Sequence, residues 1–562
     1  MRHRYARRMK KMALIATFYL LCYILPLGVR DLTIPDETRY GEIPREMLAG
    51  LGWISPRLNG VRYFEKPVLG YWLHAASLRA LGKNNFAVRF PSALAVGLSA
   101  LALYLFLRHT AGRAGAAEPA VLIFLSSLGV YGIGNTAVLD NVFSFFITAA
   151  AILFYVSTNF EPDDSRGLLC GIFCGFFCGA AFLVKGFVAL AIPAAAAVPY
   201  LLWTRQIRSL PRRCLAPLVA FLLAAIPWSV MIHLREPDFW RFFFWNEHIR
   251  RFLAEDAQHA RSFWFFFIVG PLLAIPWTFF LPASSMGTIA ALKSGEQHSR
   301  IVKFCLCWLV FPFLFFSIAR GKLPTYILPC FPPFAVLCTL GLTESLTARS
   351  SKRRDALLRL GLRANLAFGA LIAAILLYLQ FFKAGTFILY SHPSKVIMIL
   401  NCFVFCALLC AWALRQRDPA RKIRSVALSP LLMFVTISML IPDATVEMKM
   451  PGRFLTHHAA DVGTSTIVVT DDDTVGAVCW YLKREDVYVL GGAGELAYGF
   501  ASEEPGRNID AERFAELVRH FPGRVVLVAE AKKIDRLQDA LPQNFVAEAR
   551  SEPFGHLVWR RY

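Results

Sequence analysis

The sequence contains little charge for its length. Only 18% of its 562 residues are charged, whereas 56% are apolar and 14% are aromatic. A soluble protein of this size needs more charge to cover its surface, so the composition excludes an ordinary soluble enzyme. Apolar windows long enough to cross a hydrocarbon core of about 30 Å recur along the chain, which predicts a polytopic membrane protein.

Three absent patterns narrow the interpretation further. No A-x-A cleavage site follows the basic segment Arg2–Lys11 and its apolar run, so we expect a retained first helix. The tail from Asp443 contains a single cysteine, Cys479, which excludes a disulfide within the tail. The tail runs VVTDDDTVG and YVLGGAGEL match neither GxGxxG nor a P-loop, so they give no basis for a nucleotide site.

The positive net charge of +21 is unevenly distributed. From Asp443 to Tyr562 there are 14 Lys and Arg residues against 19 Asp and Glu, which leaves 46 against 20 in the first 442 residues. Excess cations on a membrane protein mark cytoplasmic loops and contacts with anionic lipid headgroups. We therefore expect no nucleic-acid partner.

Hydropathy predicts thirteen transmembrane helices, at residues 12–29, 86–107, 118–134, 140–158, 168–184, 186–203, 215–233, 263–282, 301–319, 326–344, 362–382, 396–415 and 427–442. If the N-terminus is cytoplasmic, alternate connections should be rich in Lys and Arg, and Trp203–Cys214, Ser345–Gly361 and Arg415–Arg424 are. The odd number of spans then places the tail on the outer side.

This pattern predicts two domains. Residues 1–442 form a transmembrane domain with outer loops at 30–85 and 234–262, and residues 443–562 form a small soluble periplasmic domain. In the tail, Thr466–Thr470, Val487–Leu490 and Arg524–Glu530 are typical of strands and alternate with helical segments, which indicates an α/β fold. The unusual clusters of carboxylates, cations, His and Tyr fall on the predicted outer side, which favours an outward-facing site.

Asp36, Arg39 and Tyr40 form a charged cluster where the chain leaves the first span. Ionisable groups near a membrane interior are costly and often functional. Glu42, Arg45 and Glu46 continue the cluster at helical spacing, which predicts an amphipathic helix lying on the membrane. An exposed helix with i, i+3 and i+4 ion pairs explains these later residues without any catalytic role.

Tyr63, Glu65 and Lys66 offer a cation and an acceptor beside aromatic surface, a combination suited to a phosphate-linked sugar. An interfacial aromatic belt with a local ion pair explains them equally well. Asp140 begins an apolar span, as a candidate ligand or as a helix cap. Lys185 and Lys322 interrupt apolar sequence as candidate anion ligands, or as cations that extend to headgroups.

The loop Arg235–Trp264 contains His248 and His259. Either one, with Glu65, has the chemistry of a divalent metal site, but no HExxH or CxxC spacing supports it. Hydrogen-bonded scaffolding is the alternative for both histidines.

Six of these segments carry a family resemblance. PDETRYGEIPREML, RYFEKPVLGYW, NTAVLD, VKGFVALAIP, REPDFWRFFFWNEHIRRF and GKLPTYILPCF resemble, in order, the aminoarabinose transferases of Gram-negative bacteria. These are membrane glycosyltransferases of the C-type fold, in one superfamily with protein O-mannosyltransferases. The resemblance extends from residue 30 to beyond residue 330 and leaves the role of the tail open.

The resemblance implies a specific reaction. The family transfers 4-amino-4-deoxy-L-arabinose from undecaprenyl phosphate to lipid A phosphates at the periplasmic face of the inner membrane. The added amine masks negative charge and gives resistance to polymyxin and other cationic peptides. We expect the protein to act as a monomer.

The resemblance also implies roles for individual residues. It marks Asp36 and Asp140 as catalytic carboxylates, and Glu65 with His248 as ligands of a zinc-like divalent ion. The expected substrate-binding residues are Arg39, Tyr40, Tyr63, Lys66, Lys185, Arg251, Lys322 and Tyr326. A phosphate acceptor is already ionised at neutral pH, so Asp36 acts either as a base or as a group that steers the acceptor.

Two other functions remain open from the sequence. A related transferase that glycosylates protein hydroxyls needs a base for its neutral acceptor. A transporter or lipid flippase should show inverted repeats, and we find no internal repeat.

Overall fold

The computed structural model describes residues 2–110, 115–250, 259–293, 296–347, 352–382, 389–416, 418–537, 546–550 and 557–561. In this described part, ten apolar helices are long enough to cross a membrane: Met9–Gly28, Asn85–His109, Leu139–Ser157, Ser165–Lys185, Ile207–Arg235, Ser299–Ile318, Pro324–Glu344, Asp355–Phe381, Pro393–Arg415 and Ala420–Met439. The protein is therefore a multi-pass membrane protein.

Three of the thirteen predicted spans have a different form. Two of them are pairs of helices that bend at a break, Ala117–Ser126 with Leu128–Gly134 by 65° and Phe265–Leu273 with Trp277–Lys293 by 100°. The third, Val188–Trp203, is a shorter apolar helix. Each of the thirteen predicted segments thus coincides with an apolar helix or a bent pair.

The two bent spans meet at their breaks. The N–H of Leu128 donates to the carbonyl of Ile275 at 2.9 Å, and the indole N–H of Trp277 donates to Ser126 Oγ at 2.9 Å. Pro276 follows Ile275 and has no N–H to continue the helix. Backbone groups freed at a break need partners within an apolar medium, and these two breaks supply partners to each other.

Between the first two spans lies a layer of short elements. A helix from Asp36 to Leu48, called here the site helix, is followed by a hairpin of β1 (Arg57–Leu58) and β2 (Val61–Arg62) and by the helix Leu69–Leu81. Asp36 and Glu37 occupy the first turn of the site helix, where carboxylates favour the positive end of the helix dipole.

The site helix neither lies on the membrane as an amphipathic helix nor is exposed, so both interpretations of it are wrong. The side chains from Glu37 to Met47 are buried, including Glu42 and Glu46. The predicted ion pair does form, since Arg45 donates two hydrogen bonds of 2.7 Å to Glu42. The tail of the chain covers this face, and local sequence contains no information about that cover.

The tail folds around a six-stranded sheet of order β5-β4-β3-β6-β8-β7. The strands are β3 (Ile467–Thr470), β4 (Tyr488–Leu490), β5 (Asn508–Ile509), β6 (Val525–Glu530), β7 (Val546–Arg550) and β8 (Leu557–Arg561). The four strands from β5 to β6 are parallel, whereas β8 pairs antiparallel with both β6 and β7. The three predicted strands are confirmed, and the prediction missed β5, β7 and β8.

Two helices of the tail dock it onto the layer of short elements between the first two spans. Val475–Leu482 packs on the site helix, and Ala497–Glu503 packs on β2. Close approach requires small residues here: a Cβ on Gly41 would lie 3.3 Å from both Trp480 and Val88. Gly41 therefore serves packing between the second span and the tail.

Candidate active site

Glu37 anchors the site helix to the membrane domain. Its carboxylate accepts hydrogen bonds from Arg89 at 2.7 and 2.9 Å and from Arg30 at 2.5 and 3.1 Å. The backbone N–H groups of Thr33 and Ala137 also donate to it. Although burial opposes ionisation, the charges of Arg89 and Arg30 hold the pKa of Glu37 far below its ordinary value. This network fixes the N-terminal end of the site helix relative to the turn that precedes Asp140.

A cavity of about 370 Å³ opens beside the site helix. Its charged lining consists of three carboxylates and two ammonium groups, and most of the remaining lining is aromatic or aliphatic. The residues used below are Glu65, Lys66, Asp140, Lys185, Glu247, Phe143, Phe187, Phe243, Phe315, Phe316 and Tyr326. Of the candidate site residues, Glu65, Lys66, Asp140, Lys185 and Tyr326 meet here.

One wall of the cavity is built around Lys66. Its Nζ lies 2.7 Å from a carboxylate oxygen of Glu247 and 3.7 Å from one of Glu65. Glu247 belongs to the π-helix Arg241–Arg250, in the loop Arg235–Trp264. Glu247 was not among the site residues predicted from the sequence. Its position next to His248 was the signal available.

The facing wall holds Asp140 and Lys185. Lys185 Nζ donates to Asp140 Oδ1 at 2.6 Å and lies 5.0 Å from the ring centre of Tyr326. Asp140 lies in the first turn of its helix, whose N-cap, Val138, has no side-chain capping bond. Asp140 is therefore a partner of Lys185, and the capping alternative does not describe it.

Arg39, Tyr40, Tyr63 and Asp36 form a second cluster adjoining the cavity. The buried guanidinium of Arg39 pairs with Asp36 and lies 5.1 and 5.9 Å from the ring centres of Tyr40 and Tyr63. On its other side it pairs with Glu495, to which Tyr63 also donates a hydrogen bond of 2.6 Å. Sequence reasoning missed Glu495, which comes from the tail.

Tyr40 connects the two clusters electrostatically. Burial raises the pKa of Tyr40, Arg39 opposes that rise, and the negative charges of Asp36, Asp140 and Glu65 add to it. Asp36, Asp140 and Glu65, which lie in different segments of the sequence, therefore all act on the same buried phenol.

Lys322 has a different environment. It is buried, and its Nζ donates to the backbone carbonyl of Arg261 at 2.8 Å. Burial, with help from Arg320, lowers the pKa of Lys322. Lys322 thus connects the turn before Tyr326 to the loop Arg235–Trp264, and it does not extend to headgroups. Arg251 and the side chain of His248 lie outside the described residues.

Sequence comparison assigns the family. Over 503 residues the chain is 37% identical to the undecaprenyl phosphate-alpha-4-amino-4-deoxy-L-arabinose arabinosyl transferase of Shewanella sediminis, covering 87% of this chain and 88% of that protein. It is 35% identical to the Yersinia enterocolitica protein of the same name, over 94% of this chain and 95% of that one. The chain belongs to this arabinosyl transferase family.

Family models and a solved structure agree with this membership. Residues 9–243 match the family Dolichyl-phosphate-mannose-protein mannosyltransferase, and residues 446–553 match Arabinosyl transferase ArnT, C-terminal domain. The structure of ArnT from Cupriavidus metallidurans bound to undecaprenyl phosphate superposes with a TM-score of 0.80. It is 24% identical and covers 98% of this chain and 97% of that one, so it establishes the C-type glycosyltransferase fold.

The fit of a divalent ion in this arabinosyl transferase rests on Glu65 and His248. Glu65 lies in the cavity, where one of its carboxylate oxygens is 3.7 Å from the Lys66 ammonium. Among the residues that the structure describes, only Asp471, Asp472 and Asp473 bring three metal-binding groups together, and the Lys533 ammonium pairs with all three. Because the side chain of His248 lies outside the described residues, the metal at Glu65 and His248 stays a prediction.

The transferase cavity combines fixed cations with apolar surface. Two ammonium groups held by carboxylates provide donors for an anionic group, and the aromatic lining accepts a sugar ring or a hydrocarbon chain. A molecule with a phosphate between an apolar chain and a sugar matches this division.

Proposed function

We propose that this glycosyltransferase moves 4-amino-4-deoxy-L-arabinose from undecaprenyl phosphate to a phosphate of lipid A. The observation that carries the proposal is the placement of Lys66 and Lys185 in one cavity with an aromatic and aliphatic lining. Full-length relatives at 35–37% identity bear the name of this donor and sugar, which supports the choice of substrate.

Both cations are positioned before substrate arrives. Lys66 forms a salt bridge with Glu247, and Lys185 forms one with Asp140, so both ammonium groups are held in the cavity. An entering phosphate takes the place of the carboxylate that pairs with each ammonium. The cost of removing water from the cation is already met in the folded protein. Preorganised charge of this kind stabilises a transition state because little reorganisation accompanies the reaction.

The transfer needs no proton. The bond between the sugar C1 and the oxygen of undecaprenyl phosphate breaks, and the bonding electrons leave with that phosphate. An ionised oxygen of the acceptor phosphate forms the new bond to C1. In the proposal, Lys66 and Lys185 neutralise the charge that develops on the leaving phosphate.

The sugar amine is a cation and requires an acceptor. When phosphate pairs with Lys185, Asp140 is released to accept a hydrogen bond from the ammonium group of the sugar. This exchange gives Asp140 a role that does not require it to act as a base. A neutral 4-hydroxyl sugar would gain less from the same carboxylate.

We place the reaction at the periplasmic face of the bacterial inner membrane, with a cytoplasmic N-terminus and a periplasmic tail. The support is the Lys and Arg bias of alternate connections. Addition of an amine to lipid A lowers surface negative charge and so weakens the binding of polymyxin and other cationic peptides.

Mass spectrometry of lipid A tests this function. We expect lipid A from cells expressing the protein to gain the mass of one aminopentose, compared with cells lacking it. Lys185→Met should abolish the gain while the protein remains in the membrane. Unmodified lipid A in the presence of the donor would refute the proposal.

The match of residues 9–243 to a protein mannosyltransferase family favours one competitor, transfer to protein hydroxyls. That reaction must remove a proton from a neutral Ser or Thr. Supplying the purified enzyme with donor and either lipid A or a Ser-rich peptide separates the two. Transfer to the peptide alone would favour the competitor.

A further inference from the structure

A glycine-rich turn carries a carboxylate from the tail into the site. The run YVLGGAGEL leaves the sheet after β4, with φ of +82° at Gly491, +128° at Gly492 and +50° at Gly494. Residues with a side chain rarely adopt these conformations, so the turn depends on glycine. The short 3₁₀ helix Gly494–Leu496 then presents Glu495 to the site helix.

Glu495 completes the enclosure of Arg39. Its carboxylate pairs with one end of the guanidinium, and Asp36 pairs with the other. Tyr63 donates to the same oxygen of Glu495 at 2.6 Å, and the rings of Tyr40 and Tyr63 lie against the guanidinium. A planar guanidinium held at both ends and flanked by rings has one orientation.

The turn is supported from behind. A Cβ on Gly494 would lie 3.2 Å from the carboxylate of Asp472, so the aspartate run packs against the turn. Lys533 pairs with Asp471 at 3.4 Å, Asp472 at 2.6 Å and Asp473 at 3.2 Å. The two runs VVTDDDTVG and YVLGGAGEL are therefore in contact, and the first supports the glycine-rich turn of the second.

The tail is also docked through contacts that do not include Glu495. Tyr498 packs against Phe64 with ring centres 5.5 Å apart and pairs with Asp238. Glu503 forms salt bridges with Arg57 at 3.0 Å and Arg62 at 3.2 Å. These contacts should keep the tail in place when Glu495 is changed.

We propose that Glu495 is a positioning residue of the transferase site, acting through Arg39. The inference rests on the proposed function and adds that the tail is part of the site. Without Glu495, the Arg39 guanidinium and the Tyr63 hydroxyl each lose an acceptor in a buried place. The cation then turns toward its remaining partner, Asp36, and changes the orientation of the carboxylate at the start of the site helix.

The test compares full-length variants in liposomes containing donor and lipid A. We expect Glu495→Gln to lower kcat by about 10- to 100-fold, the cost of misplacing a reacting group, with an unchanged KM for the donor. Glu495→Asp keeps the charge and should recover part of the rate. Glu503→Gln is the matched control, because it removes a docking carboxylate of similar exposure outside the site. Its kcat should stay near that of the original protein.

A double variant tests the route of action. In an Arg39→Met background, Glu495→Gln should cause little further loss, because Glu495 acts through Arg39. The proposal is overturned if Glu495→Gln keeps its kcat, if Glu503→Gln loses as much, or if the two losses at Arg39 and Glu495 multiply. An inactive original protein would instead refute the proposed function, which keeps the two failures distinct.

Discussion

Replacement of Glu37 by Gln should destabilise the layer formed by the site helix, the β1–β2 hairpin and the helix Leu69–Leu81. The substitution keeps the size of the side chain but removes the charge that faces Arg89 and Arg30. The side chains of Glu37 and Arg89 are each only 1% exposed, so Arg89 would be left as a buried cation without its carboxylate. Breaking a buried ion pair on one side costs about 3–5 kcal/mol.

Thermal unfolding in detergent measures this effect. A chain of this length loses about 1–2 °C of Tm per kcal/mol, so we expect a fall of about 3–10 °C. Glu485→Gln is the matched control: this carboxylate is 45% exposed and lies 3.8 Å from Arg45. Its loss should cost no more than about 0.5 kcal/mol.

The pH dependence gives a second check. The folded-state pKa of Glu37 is depressed, so its contribution to stability is present above its ordinary pKa and is lost only in acid, as the pH falls through the depressed value. The Tm difference between the two proteins should therefore be the same at about pH 6 and about pH 8. A Glu37→Gln protein as stable as the Glu485→Gln control would refute this account of the anchor.

Three further outcomes follow from the site and its packing. Lys66→Met should lower transfer by about 100-fold or more in the lipid A assay, because it removes a charge aimed at the leaving phosphate; a normal rate would contradict that role. Asp36→Asn should abolish transfer while folding and donor binding, measured by Tm and by retention of labelled donor, stay intact; unchanged transfer would exclude Asp36 from the reaction. Gly41→Leu should cost about 1–3 kcal/mol by displacing Trp480, seen as a lower Tm, whereas Gly132→Ala, which meets no atom within 4 Å, should not.

The membrane fold was accessible from sequence because length and hydropathy decide whether a helix crosses a bilayer. Asp140 and Lys185 were indicated by a simpler fact, that each is a charge in otherwise apolar sequence. Such residues must find partners, and a common cavity is where they find them. Which cation pairs with which carboxylate did not follow from the sequence.

The contribution of the tail was not predictable in the same way. Tyr63 and Glu495 are separated by 432 residues, and no local pattern identifies a contact at that distance. The burial of Glu42 and Glu46 was missed for the same reason, since helical periodicity shows that two faces differ but does not show what covers either. Short or late strands such as β5 and β8 depend on neighbours in the sheet more than on their own sequence.

The site helix lies within the first fifty residues, yet its cover comes from Val475–Leu482, near the other end of the chain. During synthesis, Glu42 and Glu46 are made early and must stay hydrated until the last domain has been translated and has folded. A ribosome that stops before residue 475 leaves a complete membrane bundle with an uncovered helix. The site is therefore completed only after the tail has been made, and a stop codon between residues 443 and 475 is expected to yield an inserted but inactive protein.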